Sequence, residues 1–154
     1  NLNWYITLSI NRNWKNASDL KKIQDSLRKL FKKYKIDYYL VPELHSDNEN
    51  YHFHGFISCL NAELIRRKKI DDWLVVDKFG DVIYELVPYE MNYGYSSMKC
   101  LDDFDDNVKN KIVNYIVKYA VKGDIKAMSS RSNYFCDELL RKTVEEWGEL
   151  VVVV

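Results

Sequence analysis

The run Tyr51-His52-Phe53-His54-Gly55-Phe56 restricts what this chain can be more than any other stretch. Its aromatic and apolar residues read as a β-strand, and residues two apart in a strand point to the same face. His52 and His54 therefore project side by side while Phe53 turns into the packing beneath. Two neutral imidazoles on one surface can supply two ligands to a metal ion. The chain has three histidines, and two of them are here.

A metal needs a third ligand. Residues 36–43 read as a Tyr- and Val-rich strand, 45–50 as polar turn material and 51–60 as the histidine strand, so the two strands form a hairpin. If Glu43 pairs with His52, the same register sets Val41 opposite His54, and Glu43 stands beside both imidazoles. A slip of one residue sends Glu43 to the other face. His45 shares the parity of Glu43 and is the alternative ligand. Two imidazoles and a carboxylate accept Mg²⁺, Mn²⁺ or Zn²⁺.

Residues 3–10 alternate, with Tyr5, Thr7 and Ser9 on one side and Ile6, Leu8 and Ile10 on the other, as in a half-buried strand. Ser18 is placed to cap a helix carrying Leu20, Ile23, Leu27, Leu30 and Phe31. Residues 61–72 read as a basic helix, 73–76 and 82–87 as short strands around the Lys78-Phe79-Gly80-Asp81 turn, and 93–101 as a final strand. Asp105 or Asp106 opens a helix that stops at Gly123, and a last helix covers about residues 135–147. Residues 151–154 are an extra strand or the cut end of a longer protein. Strands interrupted by helices, with hairpins, give an α+β fold on an antiparallel sheet. The length suits one domain over residues 1–154.

Net charge is zero, yet nine basic residues face two acidic ones between Arg12 and Lys35, and six face one between Asn107 and Arg131. Such stretches either hold a phosphate backbone or are solvated helix faces. The basic run Arg66-Arg67-Lys68-Lys69 leaves the same choice. Three cysteines without a CxxC pattern fit a reducing compartment. No apolar run marks secretion or a membrane span, and five glycines leave no phosphate-binding loop.

The segment from Asn114 to Lys122 carries a duplicated Tyr-x-x-Lys, Tyr115 with Lys118 and Tyr119 with Lys122. Tyrosines four apart share a helical face. A phenol that attacks phosphorus must lose a proton whose ordinary pKa is about 10, and a neighbouring ammonium favours the phenolate. Packing is the plainer role for an aromatic pair at this spacing.

Taken in order, Tyr5-Ile-Thr-Leu-Ser, Val-Pro-Glu43, His52-Phe-His54-Gly55-Phe56 and Tyr115-Ile-Val-Lys118-Tyr119-Ala-Val-Lys122 resemble the HUH endonucleases. More narrowly, they resemble the rolling-circle replication initiators of small single-stranded DNA phages and plasmids, over roughly residues 3–135. The resemblance implies a five-stranded antiparallel sheet with flanking helices, of the ferredoxin-like or RRM-like kind. It implies Mg²⁺ or Mn²⁺ on His52, His54 and Glu43, and attack by tyrosine on a DNA phosphate to give a 5′-phosphotyrosine and a free 3′-hydroxyl. Tyr115 and Tyr119 would alternate between cleavage and rejoining, with Lys118 and Lys122 assisting. Thr7 and Ser9 match the first motif and are expected to make polar contacts with DNA or metal; Arg66 and Arg67 are candidate origin contacts.

The implied partner is a single-stranded origin, expected as a hairpin, in the cytoplasm of a bacterial host. A separate helicase and polymerase would act with it, since the chain has no Walker motif. A transposase or mobilisation relaxase of the same fold is the alternative, and the second Tyr-x-x-Lys argues against it. A DNA-binding module without catalysis would not need the full set of side chains. A zinc hydrolase would leave the tyrosine helix unexplained.

Overall fold

Alternation along residues 3–10 and the apolar runs 37–44 and 51–58 build the centre of the sheet. The computed structural model describes residues 2–44, 50–122 and 127–130, with the side chains of residues 117–122 excepted. The main strands are β1 (Trp4–Ile10), β2 (Asp37–Leu44), β3 (Tyr51–Ser58) and β8 (Gly94–Cys100). Short strands β4 (Ile65–Arg67), β7 (Tyr84–Leu86) and β9 (Met128–Ser129) extend them. The order is β4-β7-β8-β1-β3-β2-β9, and all pairings are antiparallel.

The sheet is therefore seven-stranded, not five-stranded. The additional strands have two or three residues each, too few for alternation to register in the sequence. Residues 61–72 are not a helix. They hold one 3₁₀ turn (Ala62–Leu64), β4 and the first strand of a separate hairpin, β5 (Lys69–Ile70) with β6 (Trp73–Leu74). Asp71 and Asp72 turn that hairpin with φ of 50° and 67°, the left-handed pair of a two-residue turn more often made by Asn-Gly. The expected turn at Lys78–Asp81 does form, with Val76 bridging Val82 and Gly80 at φ 85°.

Helix α1 (Leu20–Lys33) begins at Asp19, not Ser18: the Asp19 carboxylate accepts from the Lys22 amide at 3.2 Å. It buries Ile23, Leu27, Leu30 and Phe31 against Ile6, Leu8, Ile10, Phe53 and Ile57, each worth about 1.5–3 kcal/mol in area terms. A four-residue helix α2 (Val87–Glu90) precedes β8. Helix α3 (Asp106–Lys122) opens where Asp105 accepts from the Val108 amide at 2.9 Å. Its Val113 and Ile116 pack with Tyr39, Val41 and Phe56 on the opposite face. The helices thus lie on both sides of one sheet. The stop at Gly123, the alternative ligand His45, the helix at 135–147 and residues 151–154 lie outside the described residues. Among the described residues no helix is long and apolar enough to cross a membrane.

Gly55 lets β2 and β3 close. A Cβ there would lie 1.9 Å from the Tyr39 carbonyl oxygen and 2.9 Å from Leu40 Cα. Both obstacles are backbone, so they cannot swing aside. Gly55→Ala is expected to destabilise the protein by about 3 kcal/mol or more, measured by urea unfolding. It would also disturb the neighbouring His54.

Candidate active site

Strand pairing assembles the site as two adjacent rows across the sheet. Glu43 pairs with His52, His52 with Ser9 and Ser9 with Tyr95. One step along, Val41 pairs with His54, His54 with Thr7 and Thr7 with Ser97. Direct partners share a face, so all eight side chains stand on the α3 side. A third row, Tyr39-Phe56-Tyr5-Lys99, lies closer to α3, and its aromatic members join the α3 core. In the first row Tyr95 is 67% exposed and the His52 side chain 13% exposed.

The expected register of β2 on β3 is observed, and it brings Glu43 to both imidazoles. Glu43 Oε2 is 2.8 Å from His52 Nε2 and 3.0 Å from His54 Nε2. The two rings meet edge to face at 4.5 Å. The His52 and His54 side chains are 13% and 11% exposed, and Glu43 is 27% exposed. Their ligand atoms all lie within 4.8 Å of one another, the one such group among the described residues. Cis ligands of an octahedral Mg²⁺ are separated by about 3 Å, given bonds of 2.0–2.1 Å. The two nitrogen–oxygen separations match that edge. The donor set therefore fits a divalent cation.

Thr7 Oγ1 lies 3.3 Å from His54 Nδ1. When His54 ligates through Nε2, its Nδ1–H donates to the Thr7 hydroxyl, which fixes the ring and its tautomer. Thr7 thus contacts a ligand of the candidate metal. Thr7→Val keeps the shape of the side chain and removes the acceptor. It is expected to lower Mn²⁺ affinity about 10- to 100-fold, read by isothermal titration.

Tyr115 approaches from α3. Its ring stands perpendicular to the His54 ring with centroids 5.6 Å apart, and the residue is 40% exposed. Lys118, Tyr119 and Lys122 belong to the same helix, but their side chains lie outside the described residues.

Arg66 and Arg67 are not brought to this centre. They lie on edge strand β4, four positions from β3 in the sheet, or about 19 Å at ordinary strand spacing. Arg66 is also ion-paired with Glu85. The basic run of α1 lies on the opposite face of the sheet, and its Arg28 pairs with Asp25 at 3.0 Å.

Sequence reading missed Tyr95 and Ser97, and named Lys68 only as part of the basic run at 66–69. Alternation in 93–101 gives Tyr95 and Ser97 one parity, but which face that is depends on pairing with β1. Lys68 Nζ sits 5.4 Å from the Tyr95 ring centroid. The ammonium donates to the Ser96 carbonyl at 2.9 Å and lies 3.5 Å from Glu90 Oε1. Burial, together with the adjoining Glu85 carboxyl, pushes the Glu90 carboxyl above its ordinary range.

A family model of the replication-associated protein ORF2 type matches residues 3–124. No curated protein and no solved structure matches the chain.

Proposed function

The chain belongs to the replication-associated protein ORF2 family, and from that premise we propose that it is a site-specific single-stranded DNA nickase and ligase of the HUH kind. In this reading it opens a replication origin to start rolling-circle synthesis. The observation that carries the proposal is the juxtaposition of the Glu43-His52-His54 cluster with Tyr115, whose ring lies 5.6 Å from that of His54.

A divalent cation on His52, His54 and Glu43 would neutralise the non-bridging oxygens of the scissile phosphate as charge develops there. The protein's own groups do the rest. The tyrosine oxygen attacks phosphorus, the P–O3′ bond breaks, and the phenol proton leaves through solvent. The departing 3′ oxygen takes up a proton and becomes the hydroxyl that primes synthesis. Energy of the broken diester is kept in the tyrosyl phosphodiester. The reverse attack by a 3′-hydroxyl reseals the strand and returns the phenol. Lys118 and Lys122 favour the phenolate, and Tyr115 and Tyr119 divide cleavage from rejoining. Thr7 orients His54, and Ser9 lies in the row that the strand would cross. Mg²⁺ or Mn²⁺ is the proposed cofactor and a hairpin-bearing single-stranded origin the proposed partner.

The test is incubation with a labelled single-stranded origin oligonucleotide and Mn²⁺, followed by a denaturing gel. A protein-linked band that disappears with chelator is expected. Metal-independent binding without cleavage would instead favour a DNA-binding module of the same fold.

A further inference from the structure

We propose that Tyr95 is a nucleobase-stacking platform, holding the base of a nucleotide that flanks the scissile phosphate. The identity of the strand rests on the nickase reading; the geometry of the platform does not.

Tyr95 stands in the same cross-sheet row as Ser9, His52 and Glu43. It is two strands from His52, or about 10 Å at a spacing of 4.7–4.9 Å. A strand lying along this row, with its phosphate at the His52 and His54 pair, would bring a neighbouring base over the exposed Tyr95 ring. The residue is 67% exposed, on a face whose other aromatic residues, Tyr5, Tyr39 and Phe56, are drawn into the α3 core. A tyrosine that only stabilised the sheet would gain by joining them. Exposed aromatics on an antiparallel sheet are the means by which RNA-recognition modules stack single-stranded bases.

Lys68 gives the ring a second function. Its ammonium lies against Tyr95 at 5.4 Å, is anchored to the Ser96 carbonyl at 2.9 Å and lies 3.5 Å from Glu90 Oε1. A base on the ring would have a fixed ammonium beside it, which an adjoining phosphate would share with Glu90. Aromatic face and positive charge together are what a single strand requires. The exposed apolar side chains of the β5–β6 hairpin, Ile70 and Trp73, make a weaker candidate, because the turn between them carries Asp71 and Asp72.

The test is fluorescence anisotropy in EDTA, so that no cleavage enters. The probes are an oligo-dT strand of about 12 nucleotides and an abasic strand of equal length. Tyr95→Ala is expected to weaken oligo-dT binding about 5- to 150-fold, the equivalent of 1–3 kcal/mol per stacked base. Binding of the abasic strand should not change, and Tyr95→Phe should behave as wild type. Tyr95→Thr, a good strand former, should repeat the loss and guards against a misfolded alanine variant.

Unchanged oligo-dT affinity in the alanine and threonine variants overturns the platform. So does an equal loss on both strands, or a wild-type protein that binds neither. Stacking without any covalent adduct would leave the platform standing and remove the nickase. An adduct with unaltered Tyr95→Ala binding would do the reverse.

Discussion

Replacing Tyr115 and Tyr119 together with phenylalanine is expected to abolish the covalent protein–DNA adduct, lowering its rate of formation by about four orders of magnitude or more. The change removes two oxygen atoms and keeps both rings. Tyr115 is 40% exposed, and its contact with His54 is made by the ring, which the variant keeps. Melting temperature and Mn²⁺ affinity should stay near the wild-type values. Single variants separate the roles. If the two phenols alternate, Tyr115→Phe and Tyr119→Phe each impair one step, cleavage or rejoining, and leave the other measurable. Tyr115 is the first choice for the initial attack, because its ring lies 5.6 Å from that of His54. A double variant that still becomes linked to DNA removes both tyrosines from the mechanism.

The second large effect is expected at Glu43. Glu43→Gln preserves the shape of the side chain but replaces a carboxylate oxygen that lies 2.8 and 3.0 Å from the two imidazoles with a neutral amide. Outer-sphere changes already cost 10- to 100-fold in metal affinity, so loss of a direct anionic ligand should cost more than about 100-fold. Cleavage at limiting Mn²⁺ should fall in parallel and recover partly at high Mn²⁺. Single-strand binding in EDTA should be unchanged, because the side chain acts through the cation. Equal loss of binding and cleavage would mean that Glu43 holds the DNA or the fold instead.

Much of this site was legible in the sequence because a strand has a period of two. His52 and His54 had to share a face, and polar residues 45–50 between two apolar runs marked a hairpin, whose register left Glu43 conditional until the observed pairing with His52. The helix from Asp106 was legible from its Asp start and the spacing of Ile112, Tyr115, Ile116 and Tyr119. What lay beyond reach depended on long-range pairing. β8 docks on β1 across more than 80 residues, so nothing local to residues 93–101 says that Tyr95 faces the histidines. The 61–72 segment is misread as a helix for a different reason. Its strands have two or three residues, and Ile65, Lys68 and Lys69 happen to recur at helical spacing. Arg66 and Arg67 read as candidate origin contacts because they are consecutive and basic; they lie on edge strand β4, away from the histidines, with Arg66 paired to Glu85.

Mass spectrometry of the adduct formed with a single-stranded origin oligonucleotide and Mn²⁺ tests the central claim most directly. The expected product is a nucleotide fragment joined through its 5′-phosphate to Tyr115 or Tyr119, with a released strand that ends in a 3′-hydroxyl. A cleaved strand with a free 5′-phosphate and no protein attached, or a linkage on a residue outside α3, would contradict it.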